Sequence, residues 1–149
     1  MRIVSSPVYL DASALAKFYI PEPESEELES VLAGRKDLIV SRLAATEVAS
    51  AMARRVRERQ LRRREMAEAY RTLTDEVAEG RFLRADITAT AHREAEQLLM
   101  TLGTRVPLRA ADGLHLALAA LAGARTLVTF DRRMITVAEA AGTFDLIET

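Results

Sequence analysis

Four carboxylates lie in segments whose neighbours are largely apolar: Asp11 in "VYLDAS", Glu47 in "SRLAATEVASA", Asp112 in "RAADGLHLALA" and Asp131 in "LVTFDRRM". A carboxylate carried into an apolar setting is costly unless something pairs with it. Taken singly, each has a plain explanation as a helix N-cap or as a complement to the helix macrodipole. Taken together they ask for more. Two unit charges ~4 Å apart repel by about 4 kcal/mol at an effective dielectric of 20, so a tight cluster needs cations or shared protons. A divalent metal answers that need with one ion. The chain has no cysteine and only two histidines, so the ligands must be oxygen or imidazole, and a hard cation, Mg²⁺ or Mn²⁺, is the expected occupant.

The elements that must position these acids alternate short β-rich runs with longer helical stretches, which is the α/β pattern. Strands are expected at Pro7 to Leu10, Leu38 to Val40, Phe82 to Ala85, Thr126 to Phe130 and Phe144 to Ile147. Helices are expected at Ser13 to Ile20, Glu24 to Ala33, Ala44 to Gln60, Arg62 to Glu79, Thr88 to Leu102, Ala110 to Ala122 and Arg132 to Ala140, with Gly34, Gly80, Gly103 and Gly123 as stop signals. The helix beginning at Ala110 is apolar nearly all round, so it reads as a central helix packed on the sheet, with Asp112 in its first turn. In open parallel sheets ligands bind beyond the carboxyl ends of the strands. Asp11 and Asp131 follow the first and fourth strands there, and Glu47 and Asp112 join them from helix starts if the sheet is parallel.

At 149 residues with no linker or internal repeat, one domain spanning 1–149 is expected. The formal charge of -1 excludes a uniformly basic surface, so any polyanion site must be local. Neither a signal segment nor a bilayer-spanning stretch is evident, and a cytoplasmic protein is the expectation.

"LDASALAKFY", "TEVASAMAR", "RAADGLHLALA" and "LVTFDRRM", in this order and spacing, resemble the acidic motifs of the PIN-domain nucleases and, among them, the VapC-type toxins of toxin–antitoxin systems. The resemblance runs from Val8 to the end of the chain. It implies a PIN-like three-layer fold, with a central parallel sheet of about five strands flanked by helices, and it makes Asp11, Glu47, Asp112 and Asp131 the acidic quartet. The implied activity is ribonuclease: carboxylate-bound Mg²⁺ or Mn²⁺ keeps positions open for phosphate oxygens, and RNA is cut to leave a 5′-phosphate and a 3′-hydroxyl. On this reading Asp11 and Asp112 bind the principal ion, Asp131 holds it directly or through water, and Glu47 binds a second ion or orients the attacking water. The resemblance further implies a VapB-like antitoxin that presents a basic side chain to the acids, and a homodimer with two sites facing one groove. An apolar groove around Leu15, Phe18 and Tyr19 is the expected antitoxin contact.

Around the quartet, Ser13 reads either as an N-cap or as a hydrogen-bonding neighbour of ligand or phosphate, and Thr129 as a residue that orients the Asp131 turn. Lys17 reads as a surface lysine, and His115 as a satisfied core histidine outside the chemistry. Gly113 is expected to loosen its helix start. "RRVRERQLRRR", Arg54 to Arg64, is the strongly basic segment, with Arg54, Arg57 and Arg62 as candidate RNA contacts; the alternative is a solvated face stitched by pairs such as Glu58 with Arg62. Two other classes stand beside the nuclease. A catalytically inactive binding module of the same fold would need the acids to be idle, and a phosphatase of the haloacid-dehalogenase type would want an acid where Ser13 stands.

Overall fold

The computed structural model describes residues 4–147. Five strands, β1 (Val8–Leu10), β2 (Leu38–Ser41), β3 (Leu83–Ala85), β4 (Thr126–Val128) and β5 (Asp145–Leu146), form one sheet in the order β3-β2-β1-β4-β5. Every pairing in it is parallel. Its central strands are buried on both faces, and their alternation divides the core in two. Val8, Leu10, Leu38, Val40 and Val128 point to one side, where they meet α1 (Ala12–Ala16), α2 (Ser25–Leu32), α3 (Arg42–Arg57) and α4 (Arg63–Ala78). Tyr9, Ile39 and Leu127 point to the other, against α5 (Ala89–Thr101), α6 (Ala110–Leu121) and α7 (Arg132–Ala141). This is the three-layer α/β arrangement expected from the sequence. Among the described residues no helix is long and apolar enough to cross a membrane.

The order of strands fixes where the chain can place chemistry. The sheet runs outward from β1 in both directions, to β2 and β3 on one side and to β4 and β5 on the other. The carboxyl ends of β1, β2 and β4 therefore lie side by side at the point where the connections diverge, the usual ligand crevice of such sheets.

Several boundaries differ from expectation for local reasons. The first helix is only Ala12–Ala16, because Lys17, Phe18 and Tyr19 close tighter three-residue turns onto Ala14, Leu15 and Ala16 before Pro21 arrives. Strand β4 stops at Val128 rather than Phe130, since the next amides are diverted to side chains: Phe130 N–H donates to Ser13 Oγ (2.8 Å) and Asp131 N–H to Thr129 Oγ1 (3.2 Å). Gly103 does not stop α5 by a left-handed turn; it sits inside a short 3₁₀ turn, Leu102–Thr104. Gly123 does close α6, with φ +73°.

Gly113 has a role opposite to the loosening expected of it. A β-carbon there would lie 3.2 Å from Leu99 Cγ and 3.4 Å from the Ala95 carbonyl oxygen. The missing side chain lets α5 approach α6, which carries Asp112 one residue earlier. Gly113→Val is expected to destabilise the fold by about 1–3 kcal/mol through overpacking, read as a lower denaturation midpoint at unchanged m-value; an unchanged midpoint would mean that α5 has room to retreat.

Candidate functional site

Asp11 leaves the end of β1 and is only 4% exposed. It is the N-cap of α1: Oδ1 accepts from the Ala14 amide (3.0 Å) and from Ser13 Oγ (2.7 Å), while Oδ2 accepts from Thr129 Oγ1. Three donors hold it, yet none is a cation. Burial accordingly pushes its carboxyl above the ordinary range, against the pull of the Thr129, Ser13 and Ala14 hydrogen bonds and of the nearby His115. The sign for folding follows directly. Stability contributed by the protonated group is complete below the ordinary value of 3.8 and is lost as pH rises through the higher folded-state value.

Asp131 also caps a helix, accepting at Oδ1 from the Arg133 amide at the start of α7 (2.9 Å). Asp112, in the first turn of α6 and 5% exposed, accepts at Oδ2 from the Arg109 amide (3.1 Å). Three of the four acids are thus tied to helix starts. They are not merely caps, because the Arg133 guanidinium stands between two of them, with Nε 3.0 Å from Asp112 Oδ2 and an Nη 3.4 Å from Asp131 Oδ2. Its hydrogen bond to Asp112, with the charges of Asp112, Asp131 and Glu47, raises its already high pKa. The negative charge converges here and already holds a cation from the chain itself.

Glu47 occupies the second turn of α3, which buries Ala44, Val48 and Met52 on the sheet and leaves Glu47 at its margin. Its Oε1 meets His115 Nε2. His115 lies on α6 one turn beyond Asp112, is 2% exposed, and contacts the Tyr9 hydroxyl through Nδ1 (2.8 Å). Burial, and secondarily the charges of Asp11 and Glu47, push the Tyr9 hydroxyl far above its ordinary value, so it remains neutral. Buried and satisfied as expected, His115 nonetheless touches the site.

An open groove of ≈ 870 Å³ is lined by Ser13, Glu47 and Asp131 together with Arg54, Arg57 and Arg109; Asp11 and Asp112 are not part of its lining. Arg54, Arg57 and Arg109 are exposed. Arg62 is not in this groove: the turn after α3, with Arg59 at φ 61°, carries it to a separate depression with Val56, Gln60 and Glu65. The expected Glu58–Arg62 pair does not form either; the Arg62 amide instead donates to Glu65 and Arg64 pairs with Glu68.

Of its two readings Ser13 takes the second: it lies inside α1 rather than capping it, donates to Asp11 and accepts from the Phe130 amide. Two further expectations need correction. Lys17 is not a surface lysine: it is 6% exposed, its Nζ is 3.1 Å from both Glu22 and Glu24 and 2.7 Å from the Pro23 carbonyl, and it lies over the Phe130 ring. Leu15 cannot line a surface groove, being fully buried; Phe18 and Tyr19 are half-buried, Phe18 against Phe82 and Tyr19 donating to Glu76 (2.6 Å). Thr129 does orient its turn, donating to Asp11 and accepting from the Asp131 amide. Arg133 and Arg109 were not singled out from the sequence, although each stands within three residues of an acid at a helix start.

Over residues 8–140 the chain matches the PIN domain family. It is 37% identical over 137 residues to Ribonuclease VapC45 of Mycobacterium tuberculosis (strain CDC 1551 / Oshkosh), covering 91% of each protein. Among solved structures, Mycobacterium tuberculosis VapC20, titled a Sarcin-Ricin loop cleaving toxin, has a TM-score of 0.71 at 15% identity, over 95% of this chain and 99% of that one. VapBC2 from Rickettsia felis, bound to a DNA fragment from their promoter, gives 0.63 at 15% identity, over 94% and 97%. The two structures bear on the fold alone. The family match and the 37% identical relative go further: the chain belongs to the PIN-domain family, in its VapC-type branch.

Proposed function

We propose that this protein is an endoribonuclease that hydrolyses RNA phosphodiesters with Mg²⁺ or Mn²⁺ held by Asp11, Asp112 and Asp131, and that it serves as the toxin partner of a VapB-like antitoxin. The observation that carries the reading is the groove in which Glu47 and Asp131 stand with Arg54, Arg57 and Arg109, with Asp112 joined to Asp131 through Arg133 and Asp11 tied to the Asp131 turn through Thr129. The ribonuclease named among its relatives supports the choice of RNA.

Among the described residues no three acids or histidines are gathered closely enough to enclose a metal ion. The donor chemistry nevertheless suits one. The acids offer oxygen only, and two of them already share a cation, so exchange of the Arg133 guanidinium for a divalent ion leaves the charge balance favourable. When bound, such an ion supplies Lewis-acid polarisation of the phosphate and a water of lowered pKa. The chain's own residues do the rest. Thr129 and Ser13 hold the two oxygens of Asp11, so its carboxylate cannot rotate away. Glu47, which lines the groove, orients the attacking water on this reading. As the water oxygen bonds to phosphorus the bond to the 3′-oxygen breaks, leaving a 3′-hydroxyl and a 5′-phosphate. Arg54, Arg57 and Arg109 hold the flanking phosphates and stack on bases.

The same acids explain how an antitoxin would silence the site. Arg133 demonstrates that a guanidinium fits between Asp112 and Asp131, and a partner's arginine or lysine entering from the groove would compete with metal in the same way.

Asp11→Asn is expected to abolish metal-dependent cleavage of total cellular RNA, at least 100-fold, while stabilising the fold at pH 7 by about 1 kcal/mol, since a buried charge without a cation is removed. Cleavage by this variant at the parent rate would refute the assignment. Exchanging Arg54 and Arg57 together for Gln, in the Asp11→Asn background, should weaken single-stranded RNA binding and reduce the slope of log K against log salt by about 1.4. Arg62→Gln should leave that slope alone. Arg133→Met is expected to tighten Mn²⁺ binding several-fold in calorimetry, because the competing internal cation is gone.

A further inference from the structure

Four polar side chains form a continuous chain through the interior, from Ser41 to Tyr9 to His115 to Glu47. The Ser41 hydroxyl caps α3, accepting from the Ala44 amide (3.0 Å), and lies 3.0 Å from the Tyr9 hydroxyl. Tyr9 reaches His115 Nδ1, its ring edge-on to the imidazole with centroids 5.9 Å apart and planes at 67°. His115 Nε2 then meets Glu47 Oε1. Ser41, Tyr9 and His115 are buried, and the chain reaches solvent only at Glu47, whose side chain is 39% exposed.

We propose that His115 is the positioning residue for Glu47: its Nε2–H donates to Oε1 and thereby fixes the carboxylate so that Oε2 faces the groove. A bare Nε2 lone pair against a carboxylate oxygen would be repulsive, so the contact requires a proton on Nε2. At Nδ1 the Tyr9 hydroxyl, which donates its own proton to Ser41, offers only its oxygen as acceptor, so the imidazole is held as a donor at both nitrogens. Among the described residues Oε2 has no protein hydrogen bond, and Glu47 is one of the residues that line the groove. A glutamate at a helix margin otherwise samples many rotamers, and ordering it costs conformational entropy. Here the cost is met before any ligand arrives. The imidazole is itself immobilised by Tyr9 and by the apolar body of α6, where Leu116, Ala117 and Leu118 are buried beside it. A leucine at position 115 would suit that apolar helix as well; what it could not do is hold Glu47. The orienting pattern resembles that of an imidazole held at one nitrogen so that the other is aimed, with the carboxylate here as the aimed group.

This inference rests on the nuclease reading only for its catalytic consequence, and the two are separable. Long-range ¹H–¹⁵N spectra of the purified full-length chain are expected to show a hydrogen-bonded proton on His115 Nε2, moving upfield in Glu47→Gln as the bond loses its charge assistance. An Nε2 without a proton, or a signal indifferent to Glu47→Gln, would overturn the proposal whether or not the protein cleaves RNA. In cleavage assays His115→Leu is expected to lower kcat about tenfold or more with KM for RNA within about twofold. His115→Gln, whose amide nitrogen can replace Nε2, should recover most of the loss. A folded Leu variant with the parent kcat would also overturn it. If the parent chain cuts no RNA while the Nε2 proton answers to Glu47, the nuclease reading fails and the tether stands; if the Leu variant does not fold, the spectra of the parent and of Glu47→Gln decide.

Discussion

A carboxylate 4% exposed, held by two hydroxyls and one amide and by no cation, is the constraint around which this molecule is arranged. Asp11 is the residue at which β1 becomes α1, so its burial follows from the topology: the central strand must end beneath its neighbours. The donors that make this tolerable come from the two connections nearest to it, Ser13 from α1 and Thr129 from the end of β4. Because those hydroxyls also accept the Phe130 and Asp131 amides, the same bonds that stabilise Asp11 shorten β4 and aim Asp131. Strand length, turn geometry and the placement of a second acid are one event. Remove Asp11, and Ser13 and Thr129 lose the acceptor that orients them.

How much of this was legible beforehand depended on range. The five strands and the near positions of the seven helices follow from hydrophobic periodicity and glycine stops, which are local signals, whereas the parallel order of the sheet was implied by the family resemblance. The acids were legible too, as charges in apolar surroundings. What could not be read were partners fixed by tertiary placement. Lys17 looks like any surface lysine until Glu22, Glu24 and the Phe130 ring are brought around it. His115 looks like a core residue and is one, yet its second nitrogen faces an element 68 residues away. Gly113 reads as a weak helix former by propensity, whereas its absent β-carbon matters for how closely α5 approaches. The basic segment illustrates the same limit: whether Arg54, Arg57 and Arg62 share a face was decided by a turn in which Arg59 adopts a positive φ, and that turn sends Arg62 elsewhere.

The groove combines two fields of opposite sign at short range. Glu47 and Asp131 bring negative charge to its lining, and Arg54, Arg57 and Arg109 bring positive charge. Neither alone would select a polyanion in the presence of metal, since bare carboxylates repel phosphate and bare arginines would hold it anywhere along α3. On the proposed reading, their juxtaposition favours ligands that meet both charges at once. The near-neutral overall charge of -1 is consistent with such a local device.

Arg133 stands two residues after the acid it pairs with and reaches across to a second from another helix. The consequence concerns assembly order. Without an internal counter-charge, the repulsion between Asp112 and Asp131 would oppose the approach of the two helix starts that carry them. With the guanidinium already in place, Asp112 and Asp131 are balanced by the chain's own charge, and the core can close whether or not a metal ion is present.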